Sequence, residues 1–135
     1  MMSEVKLSAL PSDEYMNADQ LVFFQTRLET KATELRTRLG QHRADCEIER
    51  HPDEADFASD EEARALVLKM IERDKASLTQ VLHALDLIRL GEYGFCHDTG
   101  EPIGLQRLLL VPESIYSVES MRVIEARGRH HLLVA

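Results

Sequence analysis

The chain has 135 residues, no tryptophan, and an aromatic content of only 5%. It also has two cysteines, Cys46 and Cys96. Two isolated thiols do not make a disulfide framework, and they are too few for a four-thiolate zinc site. They suit a reducing, cytoplasmic compartment. No apolar run approaches the ~18 residues that a membrane span requires. Residues 1–16 contain acids and lack an apolar stretch of about 7–15 residues, so they do not read as a secretory signal. Positive charge is also scarce: 16 Lys and Arg stand against 24 acids, for a formal net charge of −8. That shortage argues against direct, specific DNA or RNA binding, which needs clustered basic residues to displace counterions.

What is present points to helices. Hydrophobic residues make up 44% and charged residues 30%, with Leu, Ala, Glu and Arg prominent, a composition that leans towards coiled coil. Residues 1–16 are polar, include Pro11 and read as a loose arm or a short extra turn. Asn17-Ala18-Asp19-Gln20 is a helix-start signal, with a capping residue and Gln three positions on. Apolar residues then recur at Leu21, Phe24, Leu28, Ala32, Leu35, Leu39 and Cys46, with His42 in the one remaining slot. Steps of three and four make one stripe on a helix. Pro52 breaks the pattern at His51.

A second helix is predicted from Ser59, where Ser59-Asp60-Glu61-Glu62 again spells a capping box. Its stripe is Val67, Ile71, Leu78, Val81, Leu85 and Ile88, with Asp74 in one slot, and it stops at Gly91. Each stretch is about 30 residues, or roughly 45 Å. So narrow a stripe suits a coiled-coil seam. The expected fold is mainly α: an antiparallel helical hairpin over 17–90 with an acidic turn at 51–58. Cys46 reads as a small buried hydrophobe. It lies near the tip and Cys96 at the base, too far apart for a disulfide.

Residues 91–135 differ. Tyr93, Phe95, Ile103, Ile115 and Tyr116 sit among Gly100, Pro102, Gly104 and Pro112. Leu108-Leu109-Leu110-Val111 predicts a short buried strand, and Ser114–Ala126 a helix. A head this small usually needs a metal, a disulfide or a docking surface. Here the base of the hairpin and the arm can supply the surface.

The acidity is concentrated. Residues 47–62 hold eight acids and one basic residue, Arg50, so −7 of the formal −8 lies there. A solvated tip with acids complementing a helix dipole accounts for Asp60, Glu61 and Glu62. It does not require Asp53 and Asp56. A thin rod that delivers carboxylates into a positively charged or metal-containing cleft of a partner accounts for both.

The segment Asp53-Glu54-Ala55-Asp56-Phe57-Ala58-Ser59 at the end of such a hairpin resembles the tip of the DksA/TraR family of RNA polymerase secondary-channel regulators, whose tip motif is Asp-x-x-Asp-x-Ala. Gly91-Glu92-Tyr93-Gly94-Phe95-Cys96 resembles the start of the family's zinc knuckle, and Gly100, Ile103-Gly104 and Arg107-Leu108 fit the stretch that follows. The resemblance covers roughly residues 18–128. The family's four zinc thiolates fall on Cys96, Thr99, Ser117 and Ser120, of which one is cysteine. Hydroxyls are poor zinc ligands, and a substitute set of Cys96, His97, His130 and His131 uses adjacent, strained pairs. The chain is therefore similar to the family's cysteine-depleted, zinc-independent members, with a head like a zinc finger without its metal. No metal and no bound cofactor are expected.

The resemblance implies a non-enzymatic partner of RNA polymerase, monomeric and cytoplasmic, with no membrane association. Asp53, Asp56 and Ala58 would sit near the polymerase active site and alter initiation in the stringent response, together with the alarmone ppGpp. Arg73 matches one of the family's basic alarmone positions. The others fall on Gln80, Val111 and Met121, which do not pair with phosphate. Either the ppGpp response is weak or Arg107 compensates. A transcript-cleavage factor whose tip acids hold a metal, and a passive coiled-coil adaptor, remain as alternative readings. A free-standing metallohydrolase is disfavoured, because a two-helix tip has no walls to exclude water.

Overall fold

The computed structural model describes residues 15–48 and 54–134, with side chains over 15–44 and 60–128. Helix α1 spans Ala18–Ile48 (31 residues). It opens with the capping box read from the sequence. Asn17 Oδ1 accepts the Gln20 N–H at 2.9 Å, and Gln20 Oε1 accepts the Asn17 N–H at 3.3 Å. Two otherwise orphaned amides are thereby satisfied. Met16, just before the cap, and Leu21 both pack on the core, in the positions of a hydrophobic staple.

Helix α2 spans Glu54–Leu90 (37 residues). It starts five residues before the predicted Ser59, so Ser59 lies inside the helix and does not cap it. The physical reason is local. Glu54-Ala55-Asp56-Phe57-Ala58 contains no Gly, Pro or β-branched residue, and acids in a first turn favour the helix dipole. Of the expected tip residues, Asp53 lies outside the described residues. Asp56 and Ala58 fall in the opening turns of α2, and their side chains also lie outside the described set. Cys46 is in the last turns of α1, again without a described side chain.

At its far end α2 closes on Gly91, which has φ 75°. The Gly91 N–H reaches Ile88 O at 3.1 Å and the Glu92 N–H reaches Leu87 O at 2.9 Å. This is a Schellman closure, and its left-handed residue favours glycine.

The two long helices pack on one another along the predicted stripes. Phe24, Leu28, Ala32 and Leu35 from α1 meet Val81 and Ala84 from α2, all essentially buried. Tyr93 and Leu108, from beyond the hairpin, enter the same cluster. One core therefore joins the base of the hairpin to the C-terminal region. The Tyr93 ring lies 5.7 Å from that of Phe24, and its hydroxyl donates to Pro112 O at 2.7 Å.

Helix α3 is Leu105–Leu110, which corrects the strand expected over Leu108–Val111. A run of four apolar residues does not distinguish the two. Here Leu108 is fully buried while Leu110 is 82% exposed, an asymmetry set by helical spacing. Among the described residues the only β-type pairing is an isolated bridge between Phe95 and Pro102.

Helix α4, Val118–Val134, starts later and runs further than the predicted Ser114–Ala126. Ser117 sets its start, its hydroxyl accepting the Ser120 N–H at 3.2 Å. That hydrogen bond is an N-cap. No helix among the described residues is long and apolar enough to cross a membrane.

Val22 and Phe24 lie two positions apart on α1, yet Val22 is 62% exposed and Phe24 fully buried. Phe24→Ala should lower unfolding free energy by about 3–5 kcal/mol in urea denaturation. Val22→Ala should change it by less than about 0.5 kcal/mol.

Candidate functional site

Three places carry the chemistry read from the sequence: the far end of the hairpin, a knuckle around Cys96, and a cleft beside α2. At the far end the described acids are Asp60, Glu61 and Glu62. Glu61 pairs with Arg64 at 2.8 Å, one turn along.

The knuckle is a tight loop over residues 94–103. Cys96 N–H donates to Glu101 O at 2.7 Å, Gly100 N–H to Cys96 O at 2.8 Å, and Ile103 N–H to Gly94 O at 2.8 Å. The His97 N–H crosses to Ile115 O at 2.8 Å, fastening the loop to the segment before α4. Cys96, Thr99, Ser117 and Ser120 converge there. Cys96 Sγ lies 3.2 Å from Ser120 Oγ, and the Ser117 hydroxyl donates to Ser120 Oγ at 3.2 Å. Cys96 is 2% exposed. Burial pushes its thiol up. The Ser120 hydroxyl, the Ser117 backbone, and the Thr99 hydroxyl and backbone pull it down further, to about 6. The arrangement is a buried sulfur held by a short chain of hydroxyls.

Tyr15, in a turn at the end of the N-terminal arm, supplies part of the surface on which the head packs. Its hydroxyl donates to Gly94 O at 2.6 Å and accepts the Gly104 N–H at 3.1 Å. Its ring meets Phe95 edge-on at 5.5 Å. Burial raises the Tyr15 pKa despite the backbone hydrogen bonds. Gly94, at φ 93°, has no space for a side chain: a Cβ would meet Met16 Cγ at 2.8 Å. The staple pattern at Met16 and Leu21 was the available sequence signal for this contact.

The cleft has a volume of about 340 Å³ and is lined by Gln80, His83, Arg107, Val111, Tyr116 and Met121 among others. It brings together Gln80, Val111 and Met121, three of the positions at which the resemblance places alarmone contacts. Arg107 is fixed in its wall, with Nε donating to Ser114 Oγ at 3.2 Å and Tyr116 O at 3.1 Å. Arg73 is not among the lining residues. It is 68% exposed along its side chain and lies 3.8 Å from Asp74.

Residues 91–119 match the family described as "Prokaryotic dksA/traR C4-type zinc finger". The RNA polymerase-binding transcription factor DksA of Caulobacter vibrioides is 38% identical over 125 residues, covering 90% of this chain and 88% of the relative. The chain belongs to the DksA/TraR family. The DksA protein of Escherichia coli K12 is 29% identical over 122 residues, covering 88% of this chain and 80% of the relative. The structure of transcription factor DksA2 from Pseudomonas aeruginosa superimposes with a TM-score of 0.84 at 40% identity, covering 95% of this chain and all of that one.

Within a DksA/TraR chain the knuckle is the place for a four-cysteine zinc site. Here the donors are one thiol and three hydroxyls. Among the described residues, no group of three or more His, Cys, Asp or Glu side chains is placed to hold a metal. A structural zinc takes four nitrogen or sulfur donors, so this donor set does not fit one. The hydroxyls instead bond the thiol and cap α4.

Because the Cys96 pKa is depressed on folding, its thiolate stabilises the fold above the thiol's ordinary value. That contribution is lost as pH falls through about 6. Thiolate absorbance should therefore titrate near 6 in the folded protein. Ser120→Ala should move the midpoint up by about 1–2 units, the value of one hydrogen bond to a charged group.

Proposed function

We propose that this chain regulates transcription initiation by binding RNA polymerase through its secondary channel, with the hairpin inserted and the region 91–135 held against the channel's outer rim. The supporting observation is the 38% identity, across 90% of the chain, to a protein named as an RNA polymerase-binding transcription factor. The shape agrees with that reading. Helices of 31 and 37 residues make a rod roughly 50 Å long, thin enough to enter a channel, with the chain's acidity concentrated at its far end.

In this reading Asp53 and Asp56 act through charge on mobile polymerase elements, metal or nucleic acid, and Ala58 is placed with them near the polymerase active site. The chain performs no acid–base or covalent step of its own. Hairpin 17–90 and head 91–135 divide the work between reach and grip, inhibiting ribosomal promoters and activating others in the stringent response. Zinc takes no part, because the knuckle is closed by hydroxyls around Cys96. The response to ppGpp is weak, because Gln80, Val111 and Met121 give the cleft no phosphate-binding charge and Arg107 is tied to Ser114 and Tyr116.

In vitro transcription from a ribosomal promoter with metal-free protein tests partner and zinc independence together. Repression should persist in excess chelator. Asp56→Asn should abolish repression while polymerase binding stays within about twofold, since the carboxylate is a charge tool and not an affinity contact. Stimulated cleavage of backtracked RNA would instead identify a cleavage factor. Titrating ppGpp should change repression little, and Arg73→Ala should remove what response there is.

A further inference from the structure

Two polar residues interrupt the apolar stripes of the hairpin, His42 on α1 and Asp74 on α2, and the structure sets them against one another. Asp74 is 1% exposed. Its Oδ1 accepts from Arg38 Nη2 at 3.0 Å and lies 3.8 Å from Arg73 Nε. Its Oδ2 is buried and makes no hydrogen bond, and His42 Nε2 lies 3.9 Å from it. The cations around the carboxylate reach water, with the Arg38 and Arg73 side chains 53% and 68% exposed. The carboxylate does not.

Stability does not explain this carboxylate. An apolar residue at 74 would bury as Ile71 does one turn away, and replacing a buried ion pair by hydrophobes is often neutral or stabilising. What a leucine could not supply is uniqueness. Between Phe24 at the base and the His42–Asp74 level, the seam is a repeat of aliphatic side chains such as Leu28, Leu35, Val81 and Ile71. Sliding one helix past the other by a turn would again bury aliphatic on aliphatic. A slid helix would carry Asp74 away from Arg38 and His42 and leave its charge buried among aliphatics, which is strongly unfavourable. A single polar residue in a coiled-coil seam specifies register in this way.

We propose that Asp74, held between Arg38 and His42, pins the register of the hairpin and is thereby a positioning residue for the acidic tip. The pin stands on the geometry alone, and its consequence for the tip rests on the polymerase reading above. About 27 Å of helix separates Asp74 from Asp56, so an axial slip at the pin is delivered undiminished to the tip.

The test places spin labels on cysteines introduced at Ala44 and Leu66, both exposed and one on each helix, with Cys46 replaced by alanine. Cys96, 2% exposed, is shielded from the label. The parent should give one narrow distance. Asp74→Leu should keep its thermal midpoint, yet broaden the distribution or add a component displaced by roughly 5 Å, one helical turn. Asp74→Glu should keep the single distance. In the ribosomal promoter assay Asp74→Leu should lose repression and Asp74→Glu retain it.

A single, unshifted distance in Asp74→Leu overturns the pin. Should that variant fail to fold, Asp74→Asn, which keeps the shape and removes the charge, is measured the same way. A single unshifted distance there overturns the pin equally. If the distances behave as expected while the parent has no effect on the promoter, the pin stands and the polymerase reading falls.

Discussion

The structure depends on one shared core at the base of the hairpin. Phe24 and Leu28 from α1, Val81 and Ala84 from α2, and Tyr93 and Leu108 from beyond the hairpin are buried together. Two isolated helices of this length bury too little to hold their pairing firmly, and a knuckle of some thirty residues buries less still. Each makes up the other's shortfall. The polar contacts around the core follow the same division. Lys31 reaches Glu113 at 2.7 Å, and Arg27 donates to Leu109 O at 3.2 Å. The first ties α1 to the segment between α3 and α4 and the second ties it to α3 itself, and both act in support of apolar packing.

Around that core the knuckle has solved a problem of substitution. A metal clamps four positions by coordination. Here three of those four positions are hydroxyls, and each has local work: Ser117 caps α4, Ser120 contacts the Cys96 sulfur, and Thr99 bonds the Glu101 amide at 3.3 Å. Hydrogen bonds of this kind are individually worth about 1 kcal/mol, far less than a structural zinc supplies. The difference falls to Tyr93 and Leu108 in the common core, and to Tyr15 closing over Gly94.

The sequence carried the hairpin clearly, because a stripe repeating every three or four residues over thirty positions has no other economical reading. Its start at Asn17 and its end at Gly91 were equally legible, since caps depend on neighbouring residues. The onset of α2 was not, because Ser59 offered a cap while the residues before it were already good helix formers. Leu108–Val111 was ambiguous in principle: four apolar residues do not reveal their period until something covers one face. The polar slots at His42 and Asp74 could be seen but not paired, since pairing needs the register of one helix against the other. Convergence of Thr99, Ser117 and Ser120 on Cys96 is a tertiary fact, and only likeness to a family made it readable. That the arm could cover the head was legible, but not that Tyr15 does so, because the partners of its hydroxyl are backbone groups of residues far along the chain.

The placement of the core at one end gives the molecule the mechanics of a cantilever. A lever some 50 Å long converts a tilt of a tenth of a radian at its root into about 5 Å at its tip. Any looseness in how Phe24, Tyr93 and Leu108 seat is thus amplified where the acids lie, whereas looseness near the tip is not amplified at all. Stiffness is therefore most valuable at the root. That is where this chain places fully buried side chains, a closed helix end at Gly91, and a Gly94 with no space for even a methyl group.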